Sequence, residues 1–257
     1  MTQDIRTTIV DGVLEILFDR PAKKNALSDA MYLAFADALL QAEAEKSVKA
    51  VLICGAGDDF CAGNDLVDFA RAREHRGGLD ELPVGRVLRA LAATTKPVVA
   101  AVQGKAIGIG TTMLLHCDLV FVAPDARLSA PFVNLALVPE AASSLLLPIR
   151  IGHVRAFELF VLGAALSGEE AVALGLANRA VPADGVAQAA REAALALAAK
   201  PAGAVAATKQ LMREVEAIQQ RIDAESAAFG ERLVSAEAQE VFAAFIEKRP
   251  PDFSRIG

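Results

Sequence analysis

The residue whose surroundings most suggest chemistry is Glu140, set in LALVPEAASSLLL, and no other acid of the chain lies in so apolar a stretch. Burial there would strip water from the carboxylate and raise its pKa toward that of a working general base. A glutamate near a helix start, drawn to the positive end of the dipole and facing solvent, would leave the same single-residue signal. Two further segments supply backbone donors. Gly104-Lys105-Ala106-Ile107-Gly108-Ile109-Gly110 follows an apolar run and opens a helix-like stretch. In such a setting free N–H groups at a helix start attract a phosphate or an oxyanion. The dinucleotide fingerprint fails because Met113 stands where the third glycine is needed, and no Gly-Lys-Ser/Thr closes a P-loop. Phe60-Cys61-Ala62-Gly63-Asn64-Asp65-Leu66 also follows an apolar run, so two donor loops could converge on one carbonyl oxygen. A packed strand-to-helix turn would account for the first loop, and Asp65 as a helix cap for part of the second.

Other chemistries find little support. No GxSxG is present, and Cys61 has no histidine near it in sequence. His75, His116 and His153 stand far apart and form no zinc-ligand spacing, so no metal site is expected. Cys54, Cys61 and Cys117 lack CxxC spacing and read as reduced thiols. A formal net charge of -6 over 257 residues argues against a nucleic-acid footprint. Lys23-Lys24 and Lys248-Arg249 read as solvated basic pairs, with phosphate contact as the other reading. With 54% hydrophobic and 23% charged residues the chain is globular. No apolar run reaches the ~18 residues of a membrane span, and the first residues lack a leader's apolar stretch, so a soluble, cytoplasmic protein is expected.

These candidates need elements to hold them. Residues 6–10 and 13–18 read as strands joined at Asp11-Gly12, a two-residue hairpin signal. Ser28 reads as the cap of a helix whose apolar face carries Met31, Phe35, Leu39 and Leu40. Residues 50–54, 97–102 and 119–123 are short continuous apolar runs, as expected of buried parallel strands, and 177–181 is a further strand candidate. Helix formers with breaks at Gly77-Gly78 and Pro83 fill the stretch to Thr95, and alanine-rich amphipathic helices run from Gly185 to Lys248. Strand, loop and helix alternate, which is the α/β pattern.

In this order DRPAKKNALS, FCAGNDL, VQGKAIGIG, LLHCDLVFVAPDARLSAPFVNLALVPE and FIEKRPPDF resemble the crotonase superfamily of enoyl-CoA hydratases and isomerases over nearly the whole chain. The resemblance implies an α/β fold, a spiral of ββα units with a helical C-terminal region. Residues 1–197 would form the spiral core and residues 198–257 the helical part that makes oligomer contacts and covers the CoA site. It implies an acyl-CoA thioester substrate, a homotrimer or dimer of trimers, a place in fatty-acid β-oxidation, and no cofactor, coenzyme A being part of the substrate. By motif position the thioester oxygen would meet the backbone N–H groups of Asn64 and Ile109. Lys24, Ala26, Ala62, Gly63, Asp65, Leu66, Gly108, Phe245 and Lys248 would contact CoA, and Thr112, Phe132 and Leu137 would line the acyl pocket.

Side chains point to the subgroup. The family's hydratases use two glutamates, at positions occupied here by Thr112 and Phe132. Glu140 falls where peroxisomal-type Δ3,Δ2-enoyl-CoA isomerases place a single catalytic glutamate, and PFxxLxxxPExxSS, Pro131 through Ser144, is similar to that subgroup. Ala141-Ala142 departs from its usual glycine or small polar residues. The expected function is therefore Δ3,Δ2-enoyl-CoA isomerisation with Glu140 as proton shuttle. The alternatives are hydration or another acyl-CoA reaction of the family, or a non-catalytic acyl-CoA-binding relative. The C-terminal Arg255-Ile256-Gly257 differs from the peroxisomal tripeptide.

Overall fold

The computed structural model describes residues 4–65, 79, 82–254 and 256. Strands β1 (Ile5–Val10) and β2 (Val13–Phe18) form the expected hairpin, with Val10 opposite Val13. Asp11 and Gly12 have φ of 50° and 81°, the left-handed pair that a type I′ turn demands. Strands β3 (Ala50–Gly55), β4 (Val98–Val102), β6 (Leu119–Val122) and β9 (Arg179–Ala180) join β2 in parallel, giving the order β1-β2-β3-β4-β6-β9. Every residue of β4, and all of β3 before Gly55, is buried, which is why these strands read as unbroken apolar runs.

Helix α1 (Asp29–Ala44) starts where Ser28 accepts the Met31 N–H, and it packs on α2 (Pro83–Ala93). The glycine loop differs from the sequence expectation. Before any helix it forms strand β5 (Lys105–Ile107), which joins β7 (Arg127–Ser129) and β8 (Ala165–Ser167) in a second, three-stranded sheet. The helix then opening, α3 (Ile109–Thr112), is four residues long and passes into a 3-10 turn, Met113–His116.

Helices α4 (Ser143–Ile151), α5 (His153–Val161) and α6 (Gly168–Ala173) follow. Helix α7 (Val186–Ala198) packs on β3, β4 and β6. The chain continues through α8 (Ala202–Leu211), α9 (Val215–Leu233) and α10 (Ala236–Glu247), and α9 packs on α2 and α4. No helix among the described residues is long and apolar enough to cross a membrane.

The segments leaving the carboxyl ends of β2 and β3 carry Lys24 and Asn64, and those leaving β4 and β6 carry Ile109 and Glu140 after first passing through β5 and β7 of the small sheet. That edge of a parallel sheet is where ligand sites of open α/β folds form.

Candidate active site

The two donor loops are stitched together by backbone pairing. Cys61 bridges Ala106, with Cys61 N–H to the Lys105 carbonyl and Ile107 N–H to the Cys61 carbonyl, both at 2.9 Å. On its other side the loop pairs with Leu27, which donates to the Gly63 carbonyl at 2.8 Å and accepts the Asp65 N–H at 2.9 Å. Gly108, at φ 57° and ψ -121°, takes a conformation closed to side chains with a Cβ and sends Ile109 into the first helical position. Among the described residues the N–H groups of Asn64 and Ile109 donate to no protein acceptor, as a pair reserved for a ligand would.

Glu140 is 4% exposed and shares a small cavity with Asn64, Leu27, Tyr32, Leu82 and Phe229. Thr112 donates its hydroxyl to Oε1 at 2.5 Å, while Oε2 has no partner among the described residues. Burial pushes the carboxyl from 4.5 up to about 8; the Thr112 hydrogen bond opposes the rise and the Glu225 carboxylate adds to it. The sequence places Glu140 near a helix start. The structure puts it three residues ahead of α4, in a turn where Ala141 and Ala142 have φ of 64° and 54°. Left-handed alanines cost of order 1 kcal/mol each, so their surroundings must hold them. His116 does so on one side, with Nε2 2.7 Å from the Ala141 carbonyl. Arg213 donates to His116 Nδ1 at 2.9 Å, and because a guanidinium only donates, the ring proton sits on Nε2 and points at Ala141. Burial, and then the charge of Arg213, lowers this histidine to about 3, so the ring is neutral.

The raised carboxyl has a consequence for stability. A folded pKa above 4.5 means that the native state binds more protons than the unfolded one between pH 4.5 and about 8, so stability falls as pH rises through that window. Glu140→Gln removes the penalty. Its Tm should exceed the parent's by several degrees at pH 8.5 and approach it near pH 4.5. Thermal melts across that range check this, and equal melting curves at pH 8.5 would contradict a buried, protonated Glu140.

The other candidate residues divide. Ala62 and Gly63 lie in the Asn64 loop, and Asp65 lines the cavity and pairs with Arg20 at 2.7 Å. Leu66 lies outside the described residues, as does much of the stretch before Thr95. Lys24 is exposed and neighbours Lys105, whose ammonium it depresses, while Arg20 donates to the Ala26 carbonyl at 3.1 Å. Thr112 sits on Glu140 rather than merely walling a pocket. Phe132 packs on Phe160, and Leu137 lines a second cavity of about 310 Å³ with Arg232 and Phe253. Phe245 and Lys248 are exposed and are not among the described residues lining the Glu140 cavity. A larger cavity of about 820 Å³, lined by Leu145, Ile149, Val205 and Met212 among others, contains none of the candidate residues.

Three contributors escape a reading of the sequence. Asn25, fully buried, donates to the carbonyls of Ala56 and Asp59 at 2.9 and 2.7 Å and accepts the Arg20 N–H, knotting the loops after β2 and β3. Tyr32 hydrogen-bonds the Asn64 side chain, and burial raises its phenol well above 10, so it stays a neutral donor. Glu225 reaches the start of α4. Burial also pushes the Cys61 thiol up to about 12, which removes it as a nucleophile at neutral pH.

Comparison with known proteins agrees with this architecture. The sequence profile described as Enoyl-CoA hydratase/isomerase matches residues 8–255. The 1,2-epoxyphenylacetyl-CoA isomerase of Escherichia coli (strain K12) is 33% identical over 99% of this chain and 99% of its own. The peroxisomal Enoyl-CoA delta isomerase 3 of Mus musculus is 36% identical over 70% of this chain and 58% of its own. The crystal structure of an enoyl-CoA hydratase/isomerase from Pseudoalteromonas atlantica T6c superposes with a TM-score of 0.92 at 39% identity, covering 98% of this chain and 100% of the other. The chain belongs to the enoyl-CoA hydratase/isomerase family and has the crotonase fold. It is an enzyme of that family, for which an acyl-CoA thioester is the implied substrate.

Proposed function

We propose that this enzyme is a Δ3,Δ2-enoyl-CoA isomerase. The observation carrying the proposal is the environment of Glu140: a buried carboxyl with one oxygen held by Thr112 and the other unpartnered among the described residues. Moving a double bond from C3–C4 to C2–C3 requires one group to take a proton from C2 and return it to C4. A single carboxylate can do both. The electron pair released from C2 is delocalised onto the thioester oxygen, and the N–H groups of Asn64 and Ile109 would hold that enolate. Each such donor is typically worth ~3–4 kcal/mol in the transition state. Addition of water needs a second acid–base group beside the substrate. At the two positions where the family's hydratases carry glutamates, this chain has Thr112, whose hydroxyl is committed to Glu140, and Phe132, packed on Phe160. Asp65 faces the cavity but is paired with Arg20, and Asp29 is solvent-exposed at the first turn of α1.

On this reading coenzyme A enters only as part of the substrate. Lys24 beside Lys105 supplies cationic charge for its phosphates, with Ala26, Ala62, Gly63, Asp65, Leu66 and Gly108 along its path. Phe245 and Lys248 contribute from the C-terminal helices of a trimer, and the reaction serves β-oxidation of unsaturated chains.

A 3-enoyl-CoA incubated with the enzyme in ¹⁸O-labelled water should give the 2-enoyl isomer as first product without label. Mass spectrometry of the esters decides. A 3-enoyl-CoA left unchanged while the 2-enoyl ester gains one labelled water would replace isomerase with hydratase, and free acid would mean a thioesterase.

A further inference from the structure

We propose that Glu225 of α9 is a positioning residue for Glu140: it pins the turn that carries the base and sets a second carboxylate charge within electrostatic range of it. This rests on Glu140 being the base of the isomerisation proposed above.

The argument starts from the hydrogen bonds around the turn. Glu225 Oε1 accepts the Ser144 N–H at 2.8 Å, and the next N–H toward the base, that of Ser143, donates to the Glu140 carbonyl at 3.1 Å. Glu225 and His116 thus clamp the left-handed Ala141-Ala142 step from its two sides. One helical turn beyond Glu225, Phe229 lines the Glu140 cavity, so the same face of α9 lines the cavity and anchors the segment that follows Glu140.

The choice of residue is informative. Glu225 is 6% exposed, and its Oε2 has no partner among the described residues. A glutamine would give Ser144 the same carbonyl acceptor without burying a charge. The acid adds a charge that favours the start of α4 and also acts on Glu140, and replacement by glutamine separates the two roles.

The groups facing the pair set the order in which they ionise. Burial raises the Glu225 carboxyl above the ordinary glutamate value, and the Ser144 hydroxyl, the Ser144 and Ala142 N–H groups at the start of α4 and the charge of Arg221 on its own helix oppose that rise. Glu140 receives the Thr112 hydroxyl, with the neutral phenol of Tyr32 and thiol of Cys61 nearby. Glu225, with more donors turned toward it than Glu140, is the better placed of the two to carry a charge, and that charge makes the Glu140 proton harder to remove. The proton that Glu140 takes from C2 is then held long enough to be delivered to C4.

The test is the titration of the Glu140 carboxyl, followed by ¹³C NMR on protein carrying ¹³C-labelled glutamate, with the signal assigned by its loss in Glu140→Gln. Glu225→Gln removes the charge and keeps the acceptor, so Glu140 should titrate roughly one pH unit lower. The acid limb of kcat/KM for 3-enoyl-CoA should move down with it. Glu225→Ala removes charge and acceptor together. It should show the same lowered titration and, with the turn unpinned, a roughly tenfold lower kcat at the optimum pH; it also supplies the readout if the glutamine variant does not fold. A Glu140 titration and pH profile unchanged in a folded charge-removing variant would overturn the proposal. A lowered titration in a protein that isomerises nothing would uphold the pairing and overturn the isomerase reading instead.

Discussion

Glu140→Gln is expected to bind acyl-CoA as the parent does and to isomerise 3-enoyl-CoA at least about 10³-fold more slowly. Glutamine has nearly the volume of the side chain it replaces and can still accept the Thr112 hydroxyl through its carbonyl, so the cavity shared with Asn64, Tyr32 and Phe229 keeps its shape. What disappears is, among the described residues of the cavity wall, the only buried carboxyl able to take a proton from carbon. The loss should fall on kcat and leave KM within a few-fold, the pattern of an interaction made only in the transition state. The parent should show the complementary pH dependence. A base whose carboxyl is pushed up to about 8 is mostly protonated at pH 6, so kcat/KM should rise close to tenfold per pH unit up to about 8 and then level off. Steady-state kinetics on both proteins check this, and a glutamine variant turning over at the parent rate would remove Glu140 from the mechanism.

The parts of this site that a sequence displays are those whose cause is local. Asp11-Gly12 forms a hairpin because two adjacent residues must take positive φ. The runs at 50–54 and 97–102 read as buried strands because both faces of the sheet are covered. Glu140 reads as buried because its own neighbours in sequence are apolar. The small sheet β5-β7-β8 is hidden, since three-residue strands are too short to show alternation and their partners lie far along the chain. The turn at Ala141-Ala142 is hidden for a different reason. Alanine favours helix, and tertiary hydrogen bonds from His116 and Glu225 override that preference. Tyr32 lies beside the apolar face of α1 with nothing in its local sequence to single it out, because the Asn64 side chain its hydroxyl reaches is 32 residues away. Glu225 sits in a helix tail where glutamate ordinarily marks the solvent face, and its partner Ser144 is 81 residues away.

Gly110→Ala should cost about 10²-fold or more in kcat and leave a folded protein with a lowered Tm. Gly110 follows Ile109, and a Cβ there would lie 2.5 Å from the Cys61 carbonyl oxygen and 3.1 Å from the Cys61 Cβ. Relief requires the backbones to part by nearly 1 Å, because Cys61 cannot swing aside alone: its N–H and carbonyl are both committed to the strand holding Lys105 and Ile107. The methyl group thus wedges apart the two loops that carry the Asn64 and Ile109 donors. An enolate oxygen needs both N–H groups at about 2.7–3.1 Å, so a separation of this size weakens at least one of them at the moment negative charge develops. Substrate affinity should change less than turnover, since Lys24, Ala26, Phe245 and Lys248, four of the residues proposed to contact CoA, lie outside the two wedged loops. Kinetics with 3-enoyl-CoA, alongside the Kd of a saturated acyl-CoA that cannot isomerise, separates the two effects. Parent-like kcat and Tm would show that the loops are not held as closely as the Cys61–Ala106 bridge demands, and the pairing of Asn64 with Ile109 as oxyanion donors would lose its structural basis.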